Sequence, residues 1–344
     1  MNENLASLGY RMPAEWEKQS STWLAWPHNK NDWPDKFENI PSTFAKIASA
    51  LSKVQNVDIL IQSKAVKKNI KRILIKEKTN LNKVNFHIIK TNRVWTRDTG
   101  PIFLVNDLLK KKIMTNFHFN AWAKYKDYNF DNNIKPQIAK IKNKIKDVIL
   151  EGGAIDVNGK GTLIATKECL LSKVQERNPG LSREKLETVL SESLNIKNFI
   201  WLNKGIIGDD THGHIDDITR FFDDDKIFTA MEYKKSDENY SALNENLKIL
   251  KKSRNHLGKQ NTIVEIPMPS PLIIEDTRVP ASYLNFYIAN KIVLLPIFED
   301  KNDDKAFQIL EKHFKNRKIV PINCRDLIWG FGAIHCMTQQ EPAI

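Results

Sequence analysis

The pattern of apolar and polar positions predicts a chain rich in short β-strands. Apolar runs of strand length recur from end to end, and polar segments containing turn residues separate them. Runs of this length that are rich in β-branched and aromatic residues are typical of strands. The predicted strands are VDILIQ (57–62), VNFHII (84–89), IFLV (102–105), IMTNFHF (113–119), TLIAT (162–166), FIWL (199–202), KIFTAM (226–231), TIVEIPM (262–268), YLNFYIANKIVLLPIF (283–298), KIVPIN (318–323) and AIHCMT (333–338).

Apolar residues at helical spacing lie between these strands. They predict helices at 42–54, 64–77, 134–147, 182–194, 237–256 and 304–316. Ser182 is a suitable N-cap for the fourth helix, because leucines at helical spacing, Leu186 and Leu190, follow it. In the third helix isoleucines recur at helical spacing, so we expect the lysines between them to form a solvated face. The isoleucines are Ile134, Ile138, Ile141 and Ile145, and the lysines are Lys135, Lys140, Lys142, Lys144 and Lys146.

The order of these elements bears on the fold class. Predicted strands outnumber helices by about two to one, and many follow each other directly, unlike the strict alternation of a doubly wound parallel sheet. This favours an α/β fold of repeated small mixed units arranged around an axis, although no repeat is visible at the level of residues. No linker rich in proline, glycine or serine divides the chain, so we expect one domain over residues 1–344.

Composition narrows the class of protein. The chain has 344 residues, 41% of them hydrophobic and 27% charged, which is typical of a globular protein with a sizeable core. No signal peptide is visible, and the longest apolar runs, such as IVLLPIF (292–298), are too short to span a bilayer. The three cysteines are scattered and odd in number, which fits a reducing compartment. We therefore expect a cytoplasmic protein without membrane association.

The net charge of +12 raises the question of nucleic-acid binding. Much of the excess is lysine, and no glycine-rich phosphate loop, RNA-binding aromatic motif or zinc-finger spacing accompanies it. The charge is therefore interpreted as a solvated surface, and no nucleic-acid partner is expected. The sequence does not fix an oligomeric state, and a homodimer is the default expectation.

Cys336 is the cysteine whose surroundings favour chemistry. It lies in WGFGAIHCMTQQ, after Gly330 and Gly332 and before a polar segment, and glycines let the backbone approach a ligand. A buried structural cysteine remains the alternative. Cys169 and Cys324 follow or end apolar strands and are interpreted as small buried hydrophobic residues.

The stretch GDDTHGHIDD (208–217) combines four aspartates with two histidines. In an extended chain His212, His214 and Asp216 project to one face. They could hold a metal ion, form an acidic turn, or supply catalytic groups. The other histidines show no second paired spacing, which weakens the metal interpretation.

Two further polar segments interrupt the apolar strands. WTRDTGP (95–101) places Asp98 beside Arg97 and an aromatic residue, and LEGGAIDVNGKGT (150–162) sets Glu151 before two glycines. Either carboxylate could close a turn or face a cleft. Carboxylates gathered in a cleft select a cation, and guanidinium is the planar cation that matches them in a bidentate manner.

Together these segments identify a family resemblance. The sequence resembles the agmatine deiminases, within the peptidylarginine-deiminase-like, guanidino-group-modifying enzymes, nearly from end to end. The matching segments, strongly specific in this order, are RMPAEWE (11–17), TWLAWP (22–27), VWTRDTGPIF (94–103), FNAWAKY (119–125), LEGGAIDVNGKGTLIATKECLL (150–171), GDDTHGHIDDITRFF (208–222), PASYLNFYIAN (280–290) and IHCMTQQ (334–340).

The resemblance implies a fold and an activity. The fold is the pentein propeller, five ββαβ units around a pseudo-fivefold axis with the site at its centre. The activity is hydrolysis of agmatine to N-carbamoylputrescine and ammonia through a covalent amidino-thioether on cysteine, a step in putrescine biosynthesis. It requires neither metal nor cofactor.

The resemblance also implies residue roles. Cys336 matches the nucleophile, His214 the general acid/base, and Glu151 the acid paired with that histidine. Asp98 and Asp216 match the carboxylates that grip the guanidinium, and Trp95 is expected to contact the substrate. The remaining polar residues of the acidic stretch are expected to lie in the loop or to support the residues that touch the substrate, with a contact to the pocket as the alternative; they are Asp209, Asp210, His212 and Asp217.

This chain departs from the family pattern at two places. The family commonly has three glycines and then a small or amide residue before IHC, whereas this chain reads GFGAIHC, with Phe331 and Ala333. The usual GWGGKY is NAWAKY here. Both departures bear on the shape of the substrate pocket.

Two other functions remain open at this point. A free-arginine or peptidylarginine deiminase would need a cation for the substrate carboxylate, and Arg97 or Arg278 could supply it, whereas an acidic or aromatic distal pocket would favour agmatine. The alternative of another class is a non-enzymatic basic binding protein, which an ammonia-release assay separates from either deiminase.

Overall fold

The computed structural model describes residues 4–138 and 143–344, with the backbone alone for 143–147. Its strands are β1 (Gln19–Ala25), β2 (Asn56–Ile61), β3 (Val84–Ile88), β4 (Ile102–Asn106), β5 (Lys111–His118), β6 (Asn143–Ile149), β7 (Ile155–Val157), β8 (Thr162–Thr166), β9 (Asn198–Leu202), β10 (Thr219–Asp223), β11 (Lys226–Met231), β12 (Thr262–Pro267), β13 (Ile273–Ile274), β14 (Thr277–Arg278), β15 (Tyr287–Ala289), β16 (Ile292–Ile297), β17 (Lys318–Asn323) and β18 (Gln339–Pro342). Its α-helices are α1 (Ile40–Ser52), α2 (Lys67–Lys76), α3 (Thr96–Thr99), α4 (Asn129–Asn132), α5 (Ile134–Ile138), α6 (Lys167–Leu170), α7 (Arg183–Leu194), α8 (Asn239–Lys252) and α9 (Asp303–His313).

One pairing pattern recurs in the sheets of the described residues. In the sheets β4–β5–β6, β7–β8–β9, β10–β11–β12 and β15–β16–β17, the first two strands pair antiparallel and the last two pair parallel. A further sheet, β18–β1–β2–β3, joins the two ends of the chain with the same antiparallel and then parallel steps. The architecture is therefore mixed α/β, as expected.

The parallel steps explain the position of the longer helices. Parallel neighbours need a crossover connection, because the chain must return to the start of the sheet. The helices α1, α7, α8 and α9 lie in the connections β1 to β2, β8 to β9, β11 to β12 and β16 to β17.

The helix α7 illustrates how local sequence sets an element. The Oγ of Ser182 accepts the N–H of Lys185 across 3.3 Å at its start, and Asn195 ends it in the left-handed conformation, with φ 61°. Its buried leucines, among them Leu186 and Leu190, pack with β7, β8 and β9 in one apolar cluster. The N-cap prediction is thus confirmed.

Most predicted elements are found, with two exceptions. The predicted helix 134–147 is wrong, because only Ile134–Ile138 is helical and Asn143–Ile149 is the strand β6; residues 139–142 lie outside the described part. Lys135 does not lie on a solvated face: it is buried, and its Nζ donates to the carbonyl of Phe117 across 2.6 Å. The expected solvated side chains of Lys140, Lys142, Lys144 and Lys146 also lie outside the described part.

The second wrong prediction concerns the strand 333–338. Residues 334–337 form turns, and β18 begins only at Gln339. The long apolar run 283–298 contains a hairpin, β15 and β16, that turns at Lys291 with φ 61°. Of the described helices, none combines the length and the apolar character needed to cross a bilayer.

Candidate active site

The turn that carries Cys336 is held by the side chain of Asn285. The Oδ1 of Asn285 accepts the backbone N–H of His335 at 2.9 Å and that of Cys336 at 3.3 Å. Its Nδ2 donates to the Sγ of Cys336 at 3.0 Å. A Cβ at Gly332 would lie 2.7 Å from the Trp95 ring and 3.1 Å from the Cβ of Cys336. The sulfur is therefore fixed in place, and glycine at 332 permits this close packing.

His214 lies in a tight loop formed by the acidic stretch. Both Gly213 and His214 donate their backbone N–H groups to the carboxylate of Asp209, at 2.7 and 2.9 Å. Gly213 is left-handed, with φ 92°, and a Cβ there would lie 2.9 Å from Glu168. Asp209 is thus a loop residue, as predicted, and it orients the segment that presents the imidazole.

Three carboxylates surround the buried imidazole of His214. Its Nδ1 lies 3.9 Å from an oxygen of Asp98 and 3.9 Å from an oxygen of Asp216, and its Nε2 lies 3.9 Å from Glu151. Neither ring nitrogen has a hydrogen-bond partner among the described residues. The arrangement places one acid/base group amid three carboxylates without a direct bond to any of them.

Asp98 is oriented by two donors. The Nε1 of Trp122 donates to one oxygen at 2.9 Å, and the backbone N–H of Gly153 donates to the other at 3.0 Å. A Cβ at Gly153 would lie 2.5 Å from the Nδ1 of His214, so only glycine lets the short 3₁₀ helix Gly152–Ala154 approach the imidazole. Burial raises the pKa of Asp98, which the nearby His214 partly offsets.

Glu151 forms a fully buried ion pair with Arg177. The Nε of Arg177 lies 2.9 Å from the carboxylate, and the same guanidinium donates to the carbonyls of Gln175 and Thr211. Burial raises the pKa of Glu151, but Arg177 and His214 outweigh it and lower the pKa to about 2. Glu151 is therefore a permanent anion that favours a charged His214. Arg177 was not predicted from the sequence.

Asp216 is held by His335, the neighbour of Cys336 in the chain. The Nδ1 of His335 lies 2.6 Å from Asp216, and its Nε2 lies 2.7 Å from Glu15. The imidazole of His335 therefore bridges the carboxylates of Asp216 and Glu15. Glu15 is also paired with Arg97 at 3.2 Å and Arg220 at 2.9 Å. This buried network fixes one oxygen of Asp216 and leaves the other without a partner among the described residues.

The charges around Cys336 disfavour its thiolate in the free protein. Burial, followed by the carboxylates of Asp216, Asp217 and Asp98, raises the pKa of the Cys336 thiol well above its usual range. Burial lowers the pKa of His214, but Asp98 and then Cys169 raise it well above its usual range. A cation bound beside the sulfur would reverse the first of these effects.

A cavity of about 330 Å³ opens onto Cys336. It combines acidic and aromatic side chains. The lining residues are Asn29, Asn31, Asp32, Pro34, Arg93, Trp95, Asp98, Trp122, Tyr125, Asp127, Asp210, Thr211, Trp329, Gly330, Phe331, Gly332 and Cys336. Arg93 is the cation among these described lining residues, and its guanidinium donates to the carboxylate and the carbonyl of Asp127, both at 2.8 Å.

The three residues of the metal interpretation, His212, His214 and Asp216, do not form one ligand cluster among the described residues. Ligand atoms of Glu151, Cys169 and His214 lie within 4.8 Å of one another, as do those of Asp216, Asp217 and Cys336. These sets could hold a metal ion. His212 belongs to neither of the two, and its Nε2 lies 3.4 Å from the Oγ of Ser172.

The structure brings the predicted site residues together. Cys336, Asp98 and Trp95 line the cavity. The imidazole of His214 lies 3.9 Å from Asp98 and 3.9 Å from Glu151. Asp216 lies 3.8 Å from the Sγ of Cys336. Cys169 is buried in the apolar cluster that contains the leucines of α7, as predicted, and its sulfur also lies within 4.8 Å of a ring nitrogen of His214. The residues missed from the sequence are Glu15, Asp32, Trp122, Arg177 and Asn285, most of which lie in the matching segments quoted above but carry no local signal of a role.

Comparison with known proteins gives a consistent result. Residues 11–342 match the model of the Porphyromonas-type peptidyl-arginine deiminase family. An agmatine deiminase of Pseudomonas syringae pv. tomato is 32% identical over 100% of this chain and 98% of its own. The solved agmatine deiminase of Enterococcus faecalis has a TM-score of 0.92 at 29% identity, covering 100% of this chain and 98% of that one. The agmatine deiminase of C. jejuni with substrate bound has a TM-score of 0.87 at 31% identity, covering 96% of both chains.

Proposed function

Because the chain belongs to the Porphyromonas-type peptidyl-arginine deiminase family, we propose that it hydrolyses the guanidino group of agmatine to N-carbamoylputrescine and ammonia. The observation that carries this proposal is the single cavity in which Cys336 meets an excess of carboxylates and aromatic rings. Such a cavity suits a slender cation with charge at both ends.

The distal part of the cavity favours agmatine over arginine. Asp32, Asp127 and Asp210 line the cavity, but Asp127 pairs with Arg93 and Asp210 pairs with Lys124, so Asp32 is the lining acid that keeps an unpartnered oxygen, Oδ2, among the described residues. Burial raises the pKa of Asp32 to about 7, and a bound ammonium group would favour its charged form, whereas the α-carboxylate of arginine would meet an acid and no unpaired cation among the described lining residues.

The two arginines considered for a substrate carboxylate are engaged elsewhere. Arg97 is 3% exposed and bonds to Gln340 and Glu15. Arg278 pairs with Asp237 at 2.9 Å, on a different surface of the fold. Neither is among the cavity-lining residues, which argues against a free-arginine or peptidylarginine substrate.

Asp98 and Asp216 would grip the guanidinium. A carboxylate oxygen has two acceptor positions, so each of these oxygens can accept a substrate N–H in addition to its present bond. The free oxygen of Asp216 lies 3.9 Å from His214, and its other oxygen lies 3.8 Å from the Sγ of Cys336. A guanidinium held between the two carboxylates therefore presents its carbon to the sulfur.

Substrate binding would also activate the nucleophile. Burial and nearby carboxylates raise the pKa of Cys336, and the incoming positive charge offsets the carboxylates, so the thiol proton passes to solvent and the N–H of Asn285 stabilises the thiolate. The thiolate forms a bond to the guanidinium carbon, and a tetrahedral adduct results. His214 donates a proton to a leaving nitrogen, ammonia departs, and an amidino-thioether remains on Cys336.

Hydrolysis would complete the reaction. His214, now neutral, takes a proton from a water molecule that attacks the amidino carbon, and the C–S bond breaks to release the ureido product and the thiolate. Glu151, anionic beside Arg177, stabilises the charged form of His214 in both half-reactions. The steps require no metal and no cofactor.

We also propose that the sheets form a five-bladed pentein propeller in one domain, 1–344. The recurring antiparallel and then parallel pairing supports this, since each propeller unit would be one such sheet with its helix. The pairing of β18 with β1 supports it further, because closing a ring requires the two chain ends to meet in one unit. A cytoplasmic location and a homodimer remain expectations from the sequence.

Substrate competition tests the proposed function. We expect agmatine to have a kcat/KM at least about 10² above those of free arginine and of a peptide with C-terminal arginine, because one misplaced charge costs several kcal/mol. Product identity is read by mass spectrometry and ammonia by a coupled assay. A higher kcat/KM for either arginine substrate would overturn the assignment, and release of no ammonia from any of the three would favour a binding protein.

A further inference from the structure

Phe331 has a backbone conformation that normally selects glycine. Its φ is +64°, and its N–H bonds to the carbonyl of Ile328 at 2.9 Å, which ends the short 3₁₀ helix Leu327–Gly330. This position after a helix usually carries glycine, because a Cβ is unfavourable in the left-handed region. Phenylalanine is therefore retained here at a cost in stability.

The two flanking glycines are required for a different reason. Neither Gly330 nor Gly332 has a left-handed φ. A Cβ at Gly330 would lie 2.6 Å from the Nε1 of Trp33, and one at Gly332 would lie 2.7 Å from the Trp95 ring. In the segment GFG, close packing explains both glycines, whereas the one position where the backbone favours glycine carries an aromatic ring. Strain retained at a cavity points to a function for the side chain.

The ring of Phe331 lies in the cavity that contains Cys336. It is half-buried, it contacts Trp329 with ring centroids 5.9 Å apart, and it lines the same cavity as Asp32 and Asp210. Gly332, which directly follows Phe331, packs against the Trp95 ring near the sulfur of Cys336. Phe331 therefore lines the same cavity as the sulfur of Cys336 and these two acids.

We propose that Phe331 is a specificity-determining residue that forms the wall for the alkylammonium tail of the substrate. This inference rests on the proposed function. The four methylenes of agmatine would lie against the ring, and the terminal ammonium would interact with its face as well as with the acids. A glycine at this position would leave that wall open.

Two variants and two substrates test the proposal. Phe331→Gly removes the ring and the strain, and Phe331→Leu keeps apolar bulk in the same strained backbone but removes the π system. Agmatine is compared with n-butylguanidine, which has the same chain length and no ammonium. We expect Phe331→Gly to lower kcat/KM for agmatine about tenfold or more, mainly through KM.

Measuring both variants with both substrates separates the contribution of apolar bulk from that of the π system. For Phe331→Leu we expect butylguanidine kcat/KM within about threefold of wild type and agmatine between wild type and Phe331→Gly. Melting temperatures of both variants are expected within about 3 °C of wild type, since relief of strain offsets lost packing in the glycine variant. If Phe331→Gly fails to fold, Phe331→Leu alone still tests the π contribution.

Three outcomes would overturn the proposal. The first is a folded Phe331→Gly within threefold of wild type for both substrates. The second is a fall in kcat with unchanged KM for both, which would assign Phe331 to holding the Cys336 turn. The third is an equal effect of Phe331→Leu on both substrates. If wild type does not hydrolyse agmatine, the proposed function fails and the wall fails with it, whereas a wild type that hydrolyses agmatine and an unaffected Phe331→Gly variant overturn the wall alone.

Discussion

The side chain of Asn285 donates a hydrogen bond to the Sγ of Cys336 across 3.0 Å. The same side chain accepts the backbone N–H groups of His335 and Cys336, and its Nδ2 also contacts Asp217 at 2.9 Å. One buried amide thus shapes the turn and stabilises negative charge on the sulfur, against the carboxylates that raise the pKa of the thiol.

Replacing Asn285 by alanine is expected to raise the pKa of Cys336 further and to lower kcat about tenfold or more, because one hydrogen bond to a charged group is lost. The measurement is the pH dependence of alkylation of Cys336 by iodoacetamide, followed by mass spectrometry of the Cys336 peptide. The matched control is Asn323→Ala, an exposed asparagine bonded to Glu299. An unchanged alkylation profile in a folded Asn285→Ala protein would contradict this role.

The carboxylate clamp gives a second prediction. Asp98→Asn and Asp216→Asn preserve size but remove charge and turn an acceptor toward the substrate into a donor. We expect kcat/KM for agmatine to fall by about 10² or more in each, because a charge-assisted bond is lost and the reacting carbon is misplaced. Melting curves exclude misfolding.

The control for the clamp is Asp276→Asn, an exposed residue in the left-handed turn between β13 and β14, where asparagine fits as well. It is expected to match wild type. Asp209 is unsuitable as a control, because its carboxylate holds the backbone of His214. If both clamp variants fold and work within threefold of wild type, the guanidinium assignment is wrong.

Cys169 is predicted to influence His214. The nearby acid Asp98 raises the pKa of His214 most, and Cys169 raises it next. Replacing Cys169 by alanine removes the second contribution, so the pKa of His214 falls and the protonated form is lost at lower pH. The alkaline limb of the kcat profile should therefore move toward lower pH. Cys324 is another buried cysteine, and Cys324→Ala should leave the alkaline limb at its wild-type pH. An alkaline limb at the same pH in both variants would refute the influence of Cys169 on His214.

Chelation provides a fourth prediction. The proposed steps use only side chains of this chain, so dialysis against a strong chelator should leave kcat/KM unchanged. Loss of activity that zinc or manganese restores would instead assign a metal to Glu151, Cys169 and His214, whose ligand atoms cluster within 4.8 Å.

The two wrong predictions of secondary structure have physical causes. Ile141 and Ile145 are four residues apart, a spacing that places them on one face of a strand as well as of a helix, so periodicity alone does not separate helix from strand in this short segment. The apolar run at 333–338 forms turns because Asn285, distant in sequence, satisfies the backbone N–H groups that a neighbouring strand would otherwise pair. A local pattern does not contain that tertiary contact.

The site was accessible from the sequence only in part. Cys336, His214 and the carboxylates stood out because polar groups and glycines interrupt apolar strands, and the family resemblance supplied their roles. Arg177, Asn285 and Glu15 were missed because each is an ordinary polar residue until folding buries it beside Glu151, Cys336 or His335. The acidic distal cavity likewise depends on loops that are far apart in the chain.

The most direct test of the account is to trap the covalent intermediate. Wild-type protein turning over saturating agmatine is quenched in acid, and its intact mass and the Cys336 peptide are measured. We predict an adduct on Cys336 equal to agmatine less one ammonia, absent from Cys336→Ser and retained in Cys324→Ser. Steady turnover without this adduct, an adduct on another residue, or activity above a few per cent of wild type in Cys336→Ser would contradict covalent catalysis by Cys336.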